Sequence, residues 1–315
     1  MRRVPTIGSL VEEYLAAKRQ LGFALQIGGQ QLLDFASFAD NIGHSGPLTL
    51  ALAVRWAQSS KKSARLTWAR RLEILRPFFK YRLQFDPATE MVPMTFFGHA
   101  HRRLVPHIYT DREIAELLEA TRNLKLPDGL RPFTLYTLFG LLTVTGMRIS
   151  EALKLHVQDI DYESGFLTVR TTKFRKSRLV MLHTTTLDAL KRYSDARDQW
   201  LNGRSAEAFF VSGSGKPIAN RTVHWNFEQL RTQLGWVSRG GHKAPRIHDL
   251  RHTFICRSLL RSYRHNRPVD KMIDALSTYV GHAKVSDTYW YLTATPELMA
   301  IAAKRFARHV EGGAQ

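Results

Sequence analysis

Apolar positions recur at three-to-four spacing through residues 7–85, the pattern of amphipathic helices. Leu10, Val11, Tyr14, Leu15 and Leu21 form a first set, and Leu32, Leu33, Phe35 and Phe38 a second. A third run, LTLALAVRWA, ends near Gln58. The fourth, SARLTWARRLEILRPFFKYRL, has Leu66, Trp68, Leu72, Leu75, Phe78 and Phe79 as its apolar positions. Arg65, Arg70, Arg71, Arg76, Lys80 and Arg82 are interleaved with them. The periodicity lapses over residues 86–109, which hold three prolines and a basic HAHRR cluster, and this stretch reads as a linker with some extended structure.

Helical signals resume at Thr110. T-D-R-E over 110–113 is a capping-box pattern that opens a helix through Leu117 and Leu118. The most apolar stretch, FTLYTLFGLLTV at 133–144, predicts a buried helix and is too short to span a bilayer. GFLTVRTT at 165–172 and SRLVML at 177–182 are β-rich and joined by the basic turn KFRK, a predicted strand pair. Near the end, Thr295-Pro296 is an N-cap followed by proline at the first helical position. It predicts a short amphipathic tail helix over 296–309, packed on its own domain or on a neighbour. The organisation expected is a helical domain at 1–90, a linker at 91–109 and a second domain at 110–315, mainly α with a small β-sheet.

Charge narrows the class of partner. The 315-residue chain carries 46 Lys+Arg against 27 Asp+Glu, a formal +19. Residues 1–108 hold 15 basic and 7 acidic side chains and the remainder 31 and 20, so both parts are drawn to a polyanion such as nucleic acid. The basic face of the fourth helix suits a DNA backbone through Arg65, Arg70 and Arg71, with Lys61 and Lys62 in the loop before it and Arg102 and Arg103 in the linker. The alternative is a solvated charged face. A single cysteine, Cys256, excludes an internal disulfide and fits a reducing compartment. The N-terminus MRRVPTIGSLVEEYL turns acidic before an apolar core develops, so it is no signal peptide, and a soluble cytoplasmic protein is expected.

Candidate chemistry lies in the second domain. In HDLRHTF, residues 248–254, His248 and Arg251 share a helix face while Leu250 and Phe254 share an apolar one. His248 and His252 also mimic a zinc pair, but Asp249 is short for a general base and the guanidinium would repel a dication. In TGMRISEALKL, Gly146 breaks the apolar helix, and a new helix near Arg148 places Glu151 where it can hold that arginine. The β-turn presents Lys173, Arg175, Lys176 and Arg178, a set suited to phosphate contact. In GHAKVSDTYWYL, Tyr289 aligns with Val285 and Leu292 as a core residue, and Tyr291, about 200° away on a helix, is the freer hydroxyl.

The set Arg148, Lys173, His248, Arg251, His282 and Tyr291, in that order, resembles the tyrosine recombinases, the phage-integrase and Xer-like site-specific recombinases. T-G-M-R-I-S-E is similar to the box of the first catalytic arginine, H-D-L-R-H-T to the H-x-x-R box, and G-H with tyrosine nine residues later to the nucleophile box. The resemblance spans essentially the whole chain. It implies a helical N-terminal core-binding domain followed by an α+β catalytic domain.

The resemblance further implies that Tyr291 attacks a DNA phosphodiester, leaving a 3′-phosphotyrosine and a free 5′-OH. Arg148, Arg251 and His282 would neutralise the phosphate, His248 would act as base and Lys173, or nearby Lys176, as acid, with Glu151 in support. No metal or other cofactor is implied. The partners implied are double-stranded DNA and further copies of the chain, a dimer per site and a tetramer in synapsis, with sister recombinases as an option. A type IB topoisomerase and a catalytically silent DNA-binding regulator are the alternatives.

Overall fold

The computed structural model describes residues 5–60, 64–101, 103–125, 129–170, 177–265, 268–293, 297–301, 303–304 and 307. The chain divides into two compact units, Met1–Arg103 and Leu104–Gln315.

The first unit is built from α1 (Ile7–Gln20), α2 (Gln26–Asn41), α3 (Leu50–Gln58) and α4 (Arg65–Arg82). Two of the helices are capped by threonine: Thr6 Oγ1 accepts from Ser9 N at 3.2 Å and Thr49 Oγ1 from Leu52 N at 3.2 Å, meeting amides that a helix start leaves orphaned. The apolar stripes meet in one core, where Phe35 packs edge-on against Trp56 and Tyr14 against Phe78. Leu21 and Leu66, counted among the apolar sets, lie outside it at 70% and 38% exposure. Leu21 follows the last residue of α1, so the helical period no longer aims it inward.

The boundary between the units falls inside the stretch read as a linker, and most of that stretch is folded. Val92 is buried in the first core and Phe97 packs on Trp68. Arg76 donates to the carbonyls of Pro93 and Met94, and Arg70 Nε to Ala100 O at 3.1 Å. Residues 104–109 belong to the second unit. Gly241 N donates to Val105 O at 2.8 Å, and Tyr109 N to Thr253 Oγ1 at 2.9 Å.

In the second unit the capping box forms as predicted and starts α5 (Asp111–Arg122). Glu113 N donates to Thr110 Oγ1 at 3.1 Å, and Thr110 N to Glu113 Oε2 at 2.7 Å. The apolar run is the buried α6 (Leu130–Thr145), followed at once by the short α7 (Ile149–Ala152). The predicted strand pair is β2 (Phe166–Val169) against β3 (Arg178–Met181), antiparallel, with Val169 opposite Arg178. A two-residue strand, β1 (Ile160–Asp161), adds an edge that pattern reading missed because two residues show no alternation. Then come α8 (Thr184–Leu201), α9 (Asn220–Gln233), α10 (His248–Arg264), α11 (Val269–Val280) and α12 (Ser286–Tyr289). Residues 297–301 of the predicted tail helix are helical and pack on their own unit: Leu298 is buried in a cluster with Ile255, Cys256, Leu259 and Tyr291. Glu297 pairs with Arg264. Among the described residues no helix is long and apolar enough to cross a membrane.

Candidate active site

Gly146 ends α6 in the left-handed region, at φ 61°, and its amide donates to Leu142 O at 3.0 Å. A Cβ there would stand 2.4 Å from Phe254 Cδ1, so only glycine lets α10 approach this turn. The reversal places Arg148 just before α7. Arg148 N and Nη1 donate to Glu151 at 3.0 and 2.8 Å, as the spacing predicted, and Nη2 donates to Gly281 O at 3.0 Å.

Glu151 serves a second arginine. Arg178 Nη1 and Nη2 donate to its two oxygens at 3.1 and 2.8 Å, and Arg178 Nε donates to Tyr279 O at 2.9 Å. Burial alone would raise the Glu151 pKa, but the hydrogen bonds and charge of Arg178 and Arg148 outweigh it and hold the carboxyl at about 2. Arg178 is therefore not a surface cation awaiting phosphate. Its side chain is 11% exposed because strand alternation turns it inward onto Glu151.

Arg251 is 3% exposed. Its Nη1 donates to Gly146 O at 2.7 Å, while Nη2 is buried without a hydrogen-bond partner. No carboxylate lies within ion-pair distance of it among the described residues. Burial first, then the like charge of Arg148, lowers its pKa to about 10, which leaves it cationic at neutral pH. A buried cation with an unfilled donor is a receptor for an anion. Asp249, between the two histidines, is spent on Arg246: its Oδ1 accepts from Arg246 Nη2 at 2.7 Å and its Oδ2 from Arg246 N at 2.8 Å.

Three histidines and the tyrosine complete the cluster. His248 and His252, one turn apart on α10, have ring centroids 4.7 Å apart at 90°. His252 Nδ1 lies 2.6 Å from the Tyr291 hydroxyl, and the His282 ring stacks on Tyr291 at 6.2 Å and 8°. His282 Nδ1 is bonded to Thr288 Oγ1 at 2.7 Å. Desolvation, then the charges of Arg251 and Arg148, pushes His282 down to about 4. His248 is likewise pushed down to about 4, by desolvation and then Arg251 and Arg246. His248 is itself an exposed residue, with the Arg251 and Arg246 charges bearing on its ring. His252 lies at about 3, through burial first and then the neighbouring His248, Arg246 and Arg251. All three are neutral at pH 7.

The roles of the two tyrosines are reversed from the helical reading. Tyr291 is 3% exposed and Tyr289 43%. The α-helix stops at Tyr289, and Trp290–Thr293 tightens into a 3-10 turn, so the 100° step no longer applies. The cluster thus unites Arg148, Glu151, His248, Arg251, His282 and Tyr291. Lys61, Lys62, Arg102, Lys173, Arg175 and Lys176 lie outside the described residues. Arg65 and Arg103 are exposed. Arg70 and Arg71 are engaged inside the first unit, the latter with its guanidinium 4.0 Å over the Trp56 ring. Sequence reasoning missed His252 as a partner of Tyr291. The signal was its place four residues after His248, which was weighed only as a zinc pair.

Residues 107–297 match the phage integrase family. The chain is 38% identical over 314 residues to "Putative integrase/recombinase y4rB" of Sinorhizobium fredii, covering 97% of this chain and 98% of that protein. It is 28% identical over 224 residues to the tyrosine recombinase XerD of Staphylococcus saprophyticus, covering 71% and 70%. In fold it is similar to the Tn1549 transposon integrase solved with transposon right-end DNA, at TM-score 0.67 and 18% identity over 96% of this chain and all (100%) of that one. The XerH recombinase bound to palindromic difH gives 0.65 and 18% over 94% and 84%. The family match over most of the second unit, and the relative that aligns from end to end, place this chain in the phage integrase family of tyrosine recombinases.

Proposed function

We propose that the chain is a site-specific DNA recombinase or integrase that cuts and rejoins DNA through a 3′-phosphotyrosine at Tyr291. The observation that carries the reading is the unfilled Nη2 of buried Arg251 in the same cluster as the Tyr291 hydroxyl. A phosphodiester repels a nucleophile by its own charge. Arg251 and Arg148 on the nonbridging oxygens neutralise that charge and favour the five-coordinate transition state, with His282 adding a hydrogen bond. A phenol of pKa ~10 must also lose its proton. A phenolate at Tyr291 is stabilised by the Arg251 charge, and His248 is the base that the family resemblance assigns.

As the Tyr291 oxygen bonds to phosphorus, the bond to the 5′ oxygen breaks, and that oxygen takes a proton from the general acid, assigned to Lys173. The phosphotyrosine keeps the bond energy, so the chemistry calls for neither ATP nor metal. Attack by a different 5′-OH reverses the step and exchanges strands.

Double-stranded DNA is the partner that the +19 charge suits, and the DNA-bound integrase and XerH structures of like fold support the same substrate. Strand exchange requires several copies on DNA, a dimer at each site and a tetramer in synapsis. The biological role in this reading is service to a mobile element or resolution of chromosomes.

The test uses a pool of nicked duplexes with randomised centres, in excess EDTA, scored for a protease-sensitive protein–DNA adduct. The adduct is expected with the wild type and Tyr289→Phe, and lost with Tyr291→Phe while DNA binding survives. An adduct that persists in Tyr291→Phe would falsify the assignment. DNA affinity should also fall steeply with salt. Relaxation of supercoiled plasmid lacking any captured sequence would instead favour a topoisomerase.

A further inference from the structure

We propose that His252 is a positioning residue for Tyr291: its Nδ1 accepts the phenolic O–H and fixes the attacking oxygen before the strand is cut. This rests on the reading of Tyr291 as nucleophile.

Tyr291 belongs to a buried cluster with Ile255, Cys256, Leu259 and Leu298. It sits in the four-residue 3-10 turn Trp290–Thr293, after a helix of only four residues, and segments this short do not hold a side chain by themselves. The hydroxyl is fixed from outside, by the 2.6 Å contact to His252 Nδ1. Rings close around that contact. Trp290 lies 5.1 Å from the Tyr291 ring and 6.1 Å from the His252 ring, both near edge-on, and His282 stacks on Tyr291.

His252 can accept because it is neutral: burial first, then the neighbouring His248 and the positive Arg246 and Arg251, keeps it deprotonated at pH 7. With Nε2 carrying the ring proton, Nδ1 offers its lone pair to the phenol. With its lone pair engaged by the phenol and the role of base assigned to His248, the part of His252 is geometric. The residue before it, Arg251, reaches Gly146 O from the same turn of α10. One 17-residue helix thereby fixes both the anion-binding guanidinium and the attacking oxygen, which no pairing of separate loops would do as tightly.

The test is single-turnover adduct formation on a captured nicked duplex at saturating protein, with DNA binding and thermal melting measured alongside. His252→Ala should slow the adduct by about 10- to 100-fold, the scale of a misplaced nucleophile, with binding unchanged. His252→Asn places its Oδ1 where Nδ1 stood and should restore most of the rate, with the wild-type pH profile. His252→Gln sets its acceptor one carbon further and should stay slow. If His252→Ala melts early, the Asn and Gln variants, alike in polarity, decide the matter between them. A wild-type rate in His252→Ala overturns the proposal, as does an Asn variant no faster than Gln, or one that loses an ionisation from the pH profile. Tyr291→Phe runs in parallel. If it is inactive while His252→Ala is unimpaired, only the role of His252 fails; an adduct in Tyr291→Phe removes the nucleophile reading as well.

Discussion

Two helices of this chain look alike as sequence and differ in what their arginines do. α4 and α10 are both amphipathic and rich in arginine. On α4, Arg70 and Arg76 donate to carbonyls of residues 93–100 and staple that segment to the first unit. Arg71 lies over Trp56, and although its Nε has no acceptor, the aromatic face covers the guanidinium. On α10, Arg251 donates to one carbonyl and, among the described residues, has no carboxylate partner and no aromatic face over it, with a donor left over. Charge is common to both helices. An unsatisfied donor in a buried cation that no aromatic face covers separates a receptor from a fastener.

The sharpest way to break this contrast is kinetic. Arg251→Ala should cut adduct formation by about 10²- to 10³-fold or more, as expected for loss of a transition-state donor, whereas Arg76→Ala at saturating DNA should leave it unchanged. Equal losses in single-turnover assays would erase the distinction. Next in size is Glu151→Ala, which strands Arg148 and Arg178 and should destabilise the second unit by about 3–5 kcal/mol in urea unfolding.

The same carboxylate gives a pH dependence. Its pKa is depressed when folded, so its contribution is present above the ordinary carboxylate value of 4.5 and is lost as pH falls toward about 2. Glu113, also held at about 2, with Arg239, His107 and the Thr110 amide outweighing its burial, adds a parallel loss. Glu151→Gln should therefore flatten, not abolish, the acid limb of the melting-temperature curve. Gly146→Ala should cost about 1–3 kcal/mol from backbone strain alone, and more from the contact with Phe254. Phe254→Leu should recover only the contact part, by denaturant midpoint. Smallest is Arg71→Ala, at about 0.5–2 kcal/mol for the cation–π contact, read in melting of the first unit with no change in cleavage.

Much of this was legible in the sequence for identifiable reasons. Thr110–Glu113, Gly146 and the Arg148–Glu151 pair are local devices, set by spacings of three or four residues, and each formed as read. β2 and β3 announced themselves as short β-rich stretches on either side of a basic turn. What escaped depends on tertiary placement. The helical wheel gave Tyr289 to the core because it assumed one uniform helix, and the 3-10 turn at Trp290 breaks that assumption. Arg178 read as a turn cation because no pattern links it to Glu151, 27 residues earlier. The tie from His252 to Tyr291 crosses 39 residues and is equally invisible to periodicity.

The alternation of β3 has one last consequence. Arg178 and Val180 face inward while Leu179 and Met181 face out. Sliding this strand by a single residue against β2 would expose Val180, deliver an aliphatic chain to Glu151 and leave that carboxylate one guanidinium short. The pairing frame of a small sheet thus reaches the arginine before α7 through one shared anion, and in the proposed reading an insertion or deletion inside β3 should silence adduct formation without replacing Arg148, Arg251, His282 or Tyr291.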